Sequence, residues 1–162
     1  MMRKLEIYRN KTLKLTNVLE YKVLLKDPLP KVYMIVEQMQ NYIKSKRVVQ
    51  VGPLIQYTRT YIGAENRVEM ELILMIQCNN MIRDVEFPYI MKSLLKVPNA
   101  LLCRYEGPEH LLKYAYDKIN IEAFENNLVV GDCAYTVFVK TNEENETILA
   151  DVFVPIQDEQ LV

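Results

Sequence analysis

The sequence predicts an α+β fold built from a duplicated β-α-β-β unit, and two observations carry that prediction. The first is self-similarity at an offset of about 80 residues: Pro28 and Pro108 open two helical stretches, and the offset takes Val32 to Leu112, Ile35 to Ala115, Met39 to Ile119, Ile43 to Ala123 and Glu71 to Asp151. The second is the alternation, in both halves, of strand-like runs with apolar stripes at helical spacing. With 162 residues, half of them apolar and a quarter charged, the chain has material for one domain with one sizeable core, and two independent domains fit poorly.

The first copy is expected over about residues 16–77. Val18–Leu25 has the branched and aromatic content of a strand, stopped by Asp27-Pro28-Leu29-Pro30, where prolines remove backbone donors. Val32, Ile35, Val36, Met39 and Ile43 then line one face of a helix, with Glu37, Gln38, Gln40 and Lys44 on the other. Val48–Val51 and Leu54–Ile62 read as strand, Gly63-Ala64-Glu65-Asn66 as a turn, and Val68–Gln77 as a long strand. Residues 78–97 form a connector, with Met81–Phe87 as a candidate strand. The second copy, about 98–157, repeats the order. Its parts are a strand over Ala100–Glu106, a helix start at Gly107-Pro108-Glu109, a stripe of Leu111, Leu112, Ala115, Ile119 and Ala123, and a stop at Asn126-Asn127. Strands over Tyr135–Lys140 and Ile148–Ile156 follow, joined by a solvated tip from Thr141 to Glu146, and Gln157–Val162 is a fraying tail.

Composition excludes several functions. A net charge of -1 argues against a general polyanion binder. The Lys44-Ser45-Lys46-Arg47 cluster complements the negative end of a helix dipole and is not read as a nucleic-acid contact. The longest apolar run, Leu72–Ile76, is too short to span a bilayer, and the N-terminus lacks a signal-peptide core, so the expected location is cytoplasmic, away from membranes. Cys78, Cys103 and Cys133 are widely spaced and form no CxxC, which fits buried thiols rather than disulfides or zinc. His110, the single histidine, sits at a helix start and gives no base for a nucleophilic cysteine. No metal site, no cofactor and no catalytic residue is assigned.

Three segments together resemble the second half of a GyrI-like effector-binding domain: Leu101-Leu102-Cys103-Arg104-Tyr105-Glu106-Gly107-Pro108 before a helix, then Gly131 with Ala134–Val139, then Ala150–Ile156. Val51–Tyr57 followed by Val68–Ile73 resembles the first half, in more divergent form. This is the ligand-binding module of many AraC-type and MerR-type bacterial transcription regulators, also found alone. The resemblance covers about residues 16–157 and implies pseudo-two-fold symmetry, two long helices on a curved antiparallel sheet, and a central ligand cleft between the halves. It also implies a cleft acid that meets cationic aromatic ligands. This chain has Thr136 where the family commonly has that glutamate, while Glu71 and Asp151 keep acids that the family often carries on these strands.

The candidate cleft residues are Tyr57, Glu71, Tyr105, Tyr135, Thr136 and Asp151. A carboxylate on an apolar strand is costly to bury unless a cation or donors meet it, so Glu71 is either turned to water or matched. Tyrosines supply rings that stack on flat or cationic ligands, and each also serves as packing. Arg104 is placed to bridge to Asp151 or Glu71. The leading expectation is a stand-alone small-molecule-binding module for an effector or drug-like ligand, with any DNA-binding half on another chain and no direct nucleic-acid contact. The alternatives are a protein-interaction module of the gyrase-inhibitory type, whose groove or sheet edge holds a polypeptide, and a hydrolase of electrophilic small molecules using Glu71 or Asp151 with a tyrosine. The oligomeric state stays open between monomer and homodimer.

Overall fold

In the computed structural model, which describes residues 5–26 and 28–157, the chain forms six strands and two α-helices. In order these are β1 (Glu6–Val23), α1 (Val32–Ser45), β2 (Ile55–Ile62), β3 (Val68–Gln77), β4 (Tyr89–Pro108), α2 (Lys113–Glu125), β5 (Cys133–Asn142) and β6 (Thr147–Pro155). All the strand pairs described below are antiparallel, as an α+β chain with helices set against antiparallel strands requires. Two compact units result, one from Lys14–Lys96, the other from Val97 onwards together with the residues up to Leu13.

In the first of these, β3 is central, with β1 on one side (Val18 opposite Gln77 through Val23 opposite Leu72) and β2 on the other (Ile55 opposite Met75 through Ile62 opposite Val68). The helical spacing of Ile35, Met39 and Ile43 makes one buried stripe on α1. It packs on Leu19 and Val23 of β1 and Leu72, Leu74 and Ile76 of β3. In the second unit β6 is central, between β4 (Ala100 opposite Pro155) and β5 (Tyr135 opposite Phe153). Ala115, Ile119 and Ala123 of α2 pack there on Leu101, Cys103, Tyr105, Ala150, Val152 and Val154.

Both helices stop the same way. Val48 N–H returns to Ile43 O at 3.3 Å and Leu128 N–H to Ala123 O at 2.8 Å, with Arg47 and Asn127 between them at positive φ. This is the six-to-one closure of a Schellman cap.

Four stretches differ from the sequence expectation. β1 starts at Glu6, well before Val18, and β4 starts at Tyr89, inside the expected connector. Met81–Phe87 is not a strand. Its neighbourhood is pinned to α1 instead: Ile82 is buried in the α1 core, and Glu86 N–H donates to the Tyr42 hydroxyl at 3.1 Å. Val48–Val51 is reduced to one bridge, Gln50 to Cys78.

Met39 is fully buried, so Met39→Ala should lower the unfolding free energy by about 2–5 kcal/mol. Urea titration monitored by circular dichroism measures it.

Candidate functional site

Pleating sends alternate residues to opposite faces, and residues directly opposite across a ladder share a face. Since Leu72, Leu74 and Ile76 lie under α1, the intervening residues of β3 turn the other way. That face is organised in rungs. One holds Glu20, Met75 and Ile55; the next holds Lys22, Ile73 and Tyr57; Glu71 follows, opposite Arg59.

Glu20 is the unusual member. It is 4% exposed, with Val18, Ile55 and Met75 buried around it. Lys92 Nζ stands 3.1 Å from its Oε2, yet that oxygen accepts no hydrogen bond among the described residues. The ammonium is thus at ion-pair distance but out of line for donation. The carboxylate is compensated in charge and remains open as an acceptor, while about half of the Lys92 side chain is exposed. On the same face Lys22 Nζ reaches Glu71 at 3.1 Å.

In the other unit the face turned from α2 carries Tyr135, Phe153, Asp151 and Arg104. Arg104 grips Asp151 through two bonds of 2.8 and 2.9 Å, and that pairing raises the guanidinium pKa. Tyr105 and Thr136 lie on the opposite, helix-covered face. Tyr105 is fully buried and donates its hydroxyl to Pro108 O, and Thr136, 1% exposed, is hydrogen-bonded to the Tyr116 hydroxyl of α2. Burial is the main reason the Tyr116 pKa is raised, partly offset by that bond.

Of the six predicted residues, Tyr57 and Glu71 thus share one face of one unit, Tyr135 and Asp151 share one face of the other, and Tyr105 and Thr136 belong to the core under α2. Glu71 and Asp151 are not on matching rungs. Cys78 N–H bonds Asn17 O at 2.9 Å and Ile156 N–H bonds Asn99 O at 3.1 Å; counted back from these bonds, Glu71 lies one same-face position farther along than Asp151. Accordingly Arg104 is directly opposite Asp151, whereas Lys22 is opposite Ile73 and reaches Glu71 diagonally. Sequence reasoning passed over Glu20. Its signal was a lone carboxylate between Val18-Leu19 and Tyr21, sharing a strand face with Val18 rather than with Leu19.

Among the described residues no group of three or more His, Cys, Asp or Glu side chains could hold a metal ion, and no helix is long and apolar enough to cross a membrane.

No protein-family model matches the sequence, and no curated protein matches it. Solved structures do match. The C-terminal domain of EcmrR superposes with a TM-score of 0.63 at 13% identity, covering 96% of this chain and 98% of that one. The chain has the fold of that domain. EcmrR in its DNA complex matches with a TM-score of 0.64 at 12% identity over 96% of this chain, which spans 57% of that longer protein. A hydrolase from Listeria innocua matches with a TM-score of 0.60 at 12% identity, covering 96% of this chain and 92% of that one.

Two outcomes are expected. Tyr116→Phe and Thr136→Val should each cost about 1 kcal/mol, and the double variant less than their sum, because each single change orphans the remaining hydroxyl. A denaturant double-mutant cycle checks this. Burial pushes the Cys103 thiol from 9.0 up to about 11, against a small opposing effect of Lys118. Its folded value is raised, so its contribution to stability is complete below about pH 9 and is lost as pH rises through about 11. Stability measured against pH should therefore fall in that window, and Cys103→Ala should flatten the early part of the fall.

Proposed function

We propose that this protein is a small-molecule-binding module of GyrI-like architecture, made of two related β-α-β-β units joined by a connector over residues 78–88. The duplication is supported by the strand order, β1–β3–β2 in one unit and β4–β6–β5 in the other. It is further supported by Schellman caps at Arg47 and Asn127 and by the paired closing bonds at Cys78 and Ile156. The ligand site is on the face of the Lys14–Lys96 unit turned away from α1, with Tyr57 beside it and Glu71 at its margin.

The observation that carries this reading is the Glu20 carboxylate. Holding a charge among Val18, Ile55 and Met75 is costly, and the ion pair with Lys92 offsets that cost only in part, leaving Oε2 without a donor. A ligand bearing a cationic or hydrogen-bond-donating group displaces Lys92 and completes the carboxylate, while Tyr57 offers a ring to a flat ligand. The fold shared with the EcmrR C-terminal domain is in keeping with such a role.

Calorimetry with ethidium and a panel of other lipophilic aromatic cations tests it. Glu20→Gln should weaken binding by about tenfold or more. The double variant Glu20→Met, Lys92→Met should bind nothing yet unfold at a higher denaturant concentration, by about 1–2 kcal/mol, because an apolar pair replaces a buried charge. Undiminished binding by Glu20→Gln removes the role of Glu20, and a natural-sequence protein that binds no member of the panel removes the reading altogether.

A further inference from the structure

A cation that settles on Glu20 has to move another one. The Lys92 ammonium stands 3.1 Å from Glu20 Oε2, and its backbone is fixed in β4. That oxygen is buried, so two cations pressed onto it would repel each other where water screens them little, and a ligand cation and Lys92 exclude one another there. The displaced ammonium stays near. It hangs on a flexible stem of about four carbons, which keeps it within roughly a Debye length, about 8 Å, of the charge that replaced it.

No other acid on this face is placed to receive it. Tyr89 and Met91 pack towards α1, so Ile90, Lys92 and Leu94 alternate to the opposite side, and the two apolar neighbours are each more than half exposed. Residues 89–96 of β4 and the whole of β2 contain no carboxylate, and the part of β1 paired with β3 contains only Glu20. On β3, Glu71 is taken by Lys22 at 3.1 Å and also faces Arg59 across the ladder. Glu69 accepts the Tyr61 hydroxyl and lies six residues along from Met75, the rung of Glu20, which is about 20 Å at the rise of a strand.

We infer that the ligand of this site is zwitterionic: its cation seats on Glu20, and its anion pairs with the Lys92 ammonium that the cation displaces. The inference rests on Glu20 being the ligand's partner and narrows that role to one class of compound. A simple cation leaves Lys92 beside a like charge, whereas a zwitterion replaces one ion pair by two. Lys92 is thereby a specificity-determining residue, which opposes simple cations and favours an anion held a short tether away from the cation.

The probes are an acridinium carrying a carboxypropyl group on its nitrogen, zwitterionic at neutral pH, and the methyl ester of the same compound, a simple cation with identical rings. Calorimetry on the intact chain should find the acid bound about tenfold more tightly than the ester. Lys92→Gln keeps a neutral donor for Glu20 and should close or invert that ratio, the ester gaining affinity and the acid losing it. Should that variant not fold, Glu20→Gln serves, because it removes a buried charge and leaves Lys92 in place: the ester should then lose more affinity than the acid, widening the ratio. The inference is overturned, with cation binding at Glu20 intact, if the natural-sequence protein binds the ester as tightly as the acid, or if the ratio is unchanged in the variant. Binding of neither compound also overturns it, and ethidium binding then decides whether the Glu20 site falls as well.

Discussion

Three apolar residues on each helix, spaced a turn apart, decide how every strand beneath them is used. Ile35, Met39 and Ile43 take one pleat of β1 and β3 into the core, and Ala115, Ile119 and Ala123 do the same on β4 and β6. Because pleating has a period of two, that choice commits every other residue to the opposite face, and a slip of one position would exchange the two sets. Core packing therefore determines that Glu20, Tyr57 and Asp151 turn away from the helices, and that Tyr105 and Thr136 lie beneath α2.

Against that background the polar groups fall into two kinds. Arg104 with Asp151 is a bidentate pair, and Tyr116 with Thr136 is a closed hydroxyl pair; both are complete in themselves. Glu20 differs, because its cation approaches from the more exposed side without completing its hydrogen bonds. Buried charges in soluble proteins are ordinarily paired and hydrogen-bonded, and the exception falls on a face left free by the nearby helix.

Much of this was legible from residue patterns. Val68–Gln77 was read to the residue because its branched and apolar side chains run unbroken between turn signals, and the buried stripes of both helices followed from their spacing. The early half of β1 was not legible, since Glu6, Arg9, Lys11 and Lys14 interrupt any apolar alternation and most of its side chains are exposed. Nor was the face of each candidate residue. Ile73 and Met75 are as apolar as Leu72 and Leu74, so sequence alone does not tell which pleat the helix covers, and Thr136 was grouped with Tyr135 although the two point in opposite directions. Glu20 was hidden for a related reason: its neighbours identify a strand so plainly that one charge within it drew no notice.

The two compact units differ in how their chain is assembled, and that bears on the order in which the protein is made. Lys14–Lys96 is one continuous stretch, complete as soon as it has been synthesised. The other unit is stitched from both ends: Leu5 and Ile7 pack against its core, and Arg9 approaches Glu122 of α2 at 3.8 Å. Leu5, Ile7 and Arg9 are synthesised before α2 and β6, the partners they pack against, and wait for them to follow. The continuous unit folds early through shorter loops, and the N-terminal half of β1 is among the last segments of the nascent chain to find its place.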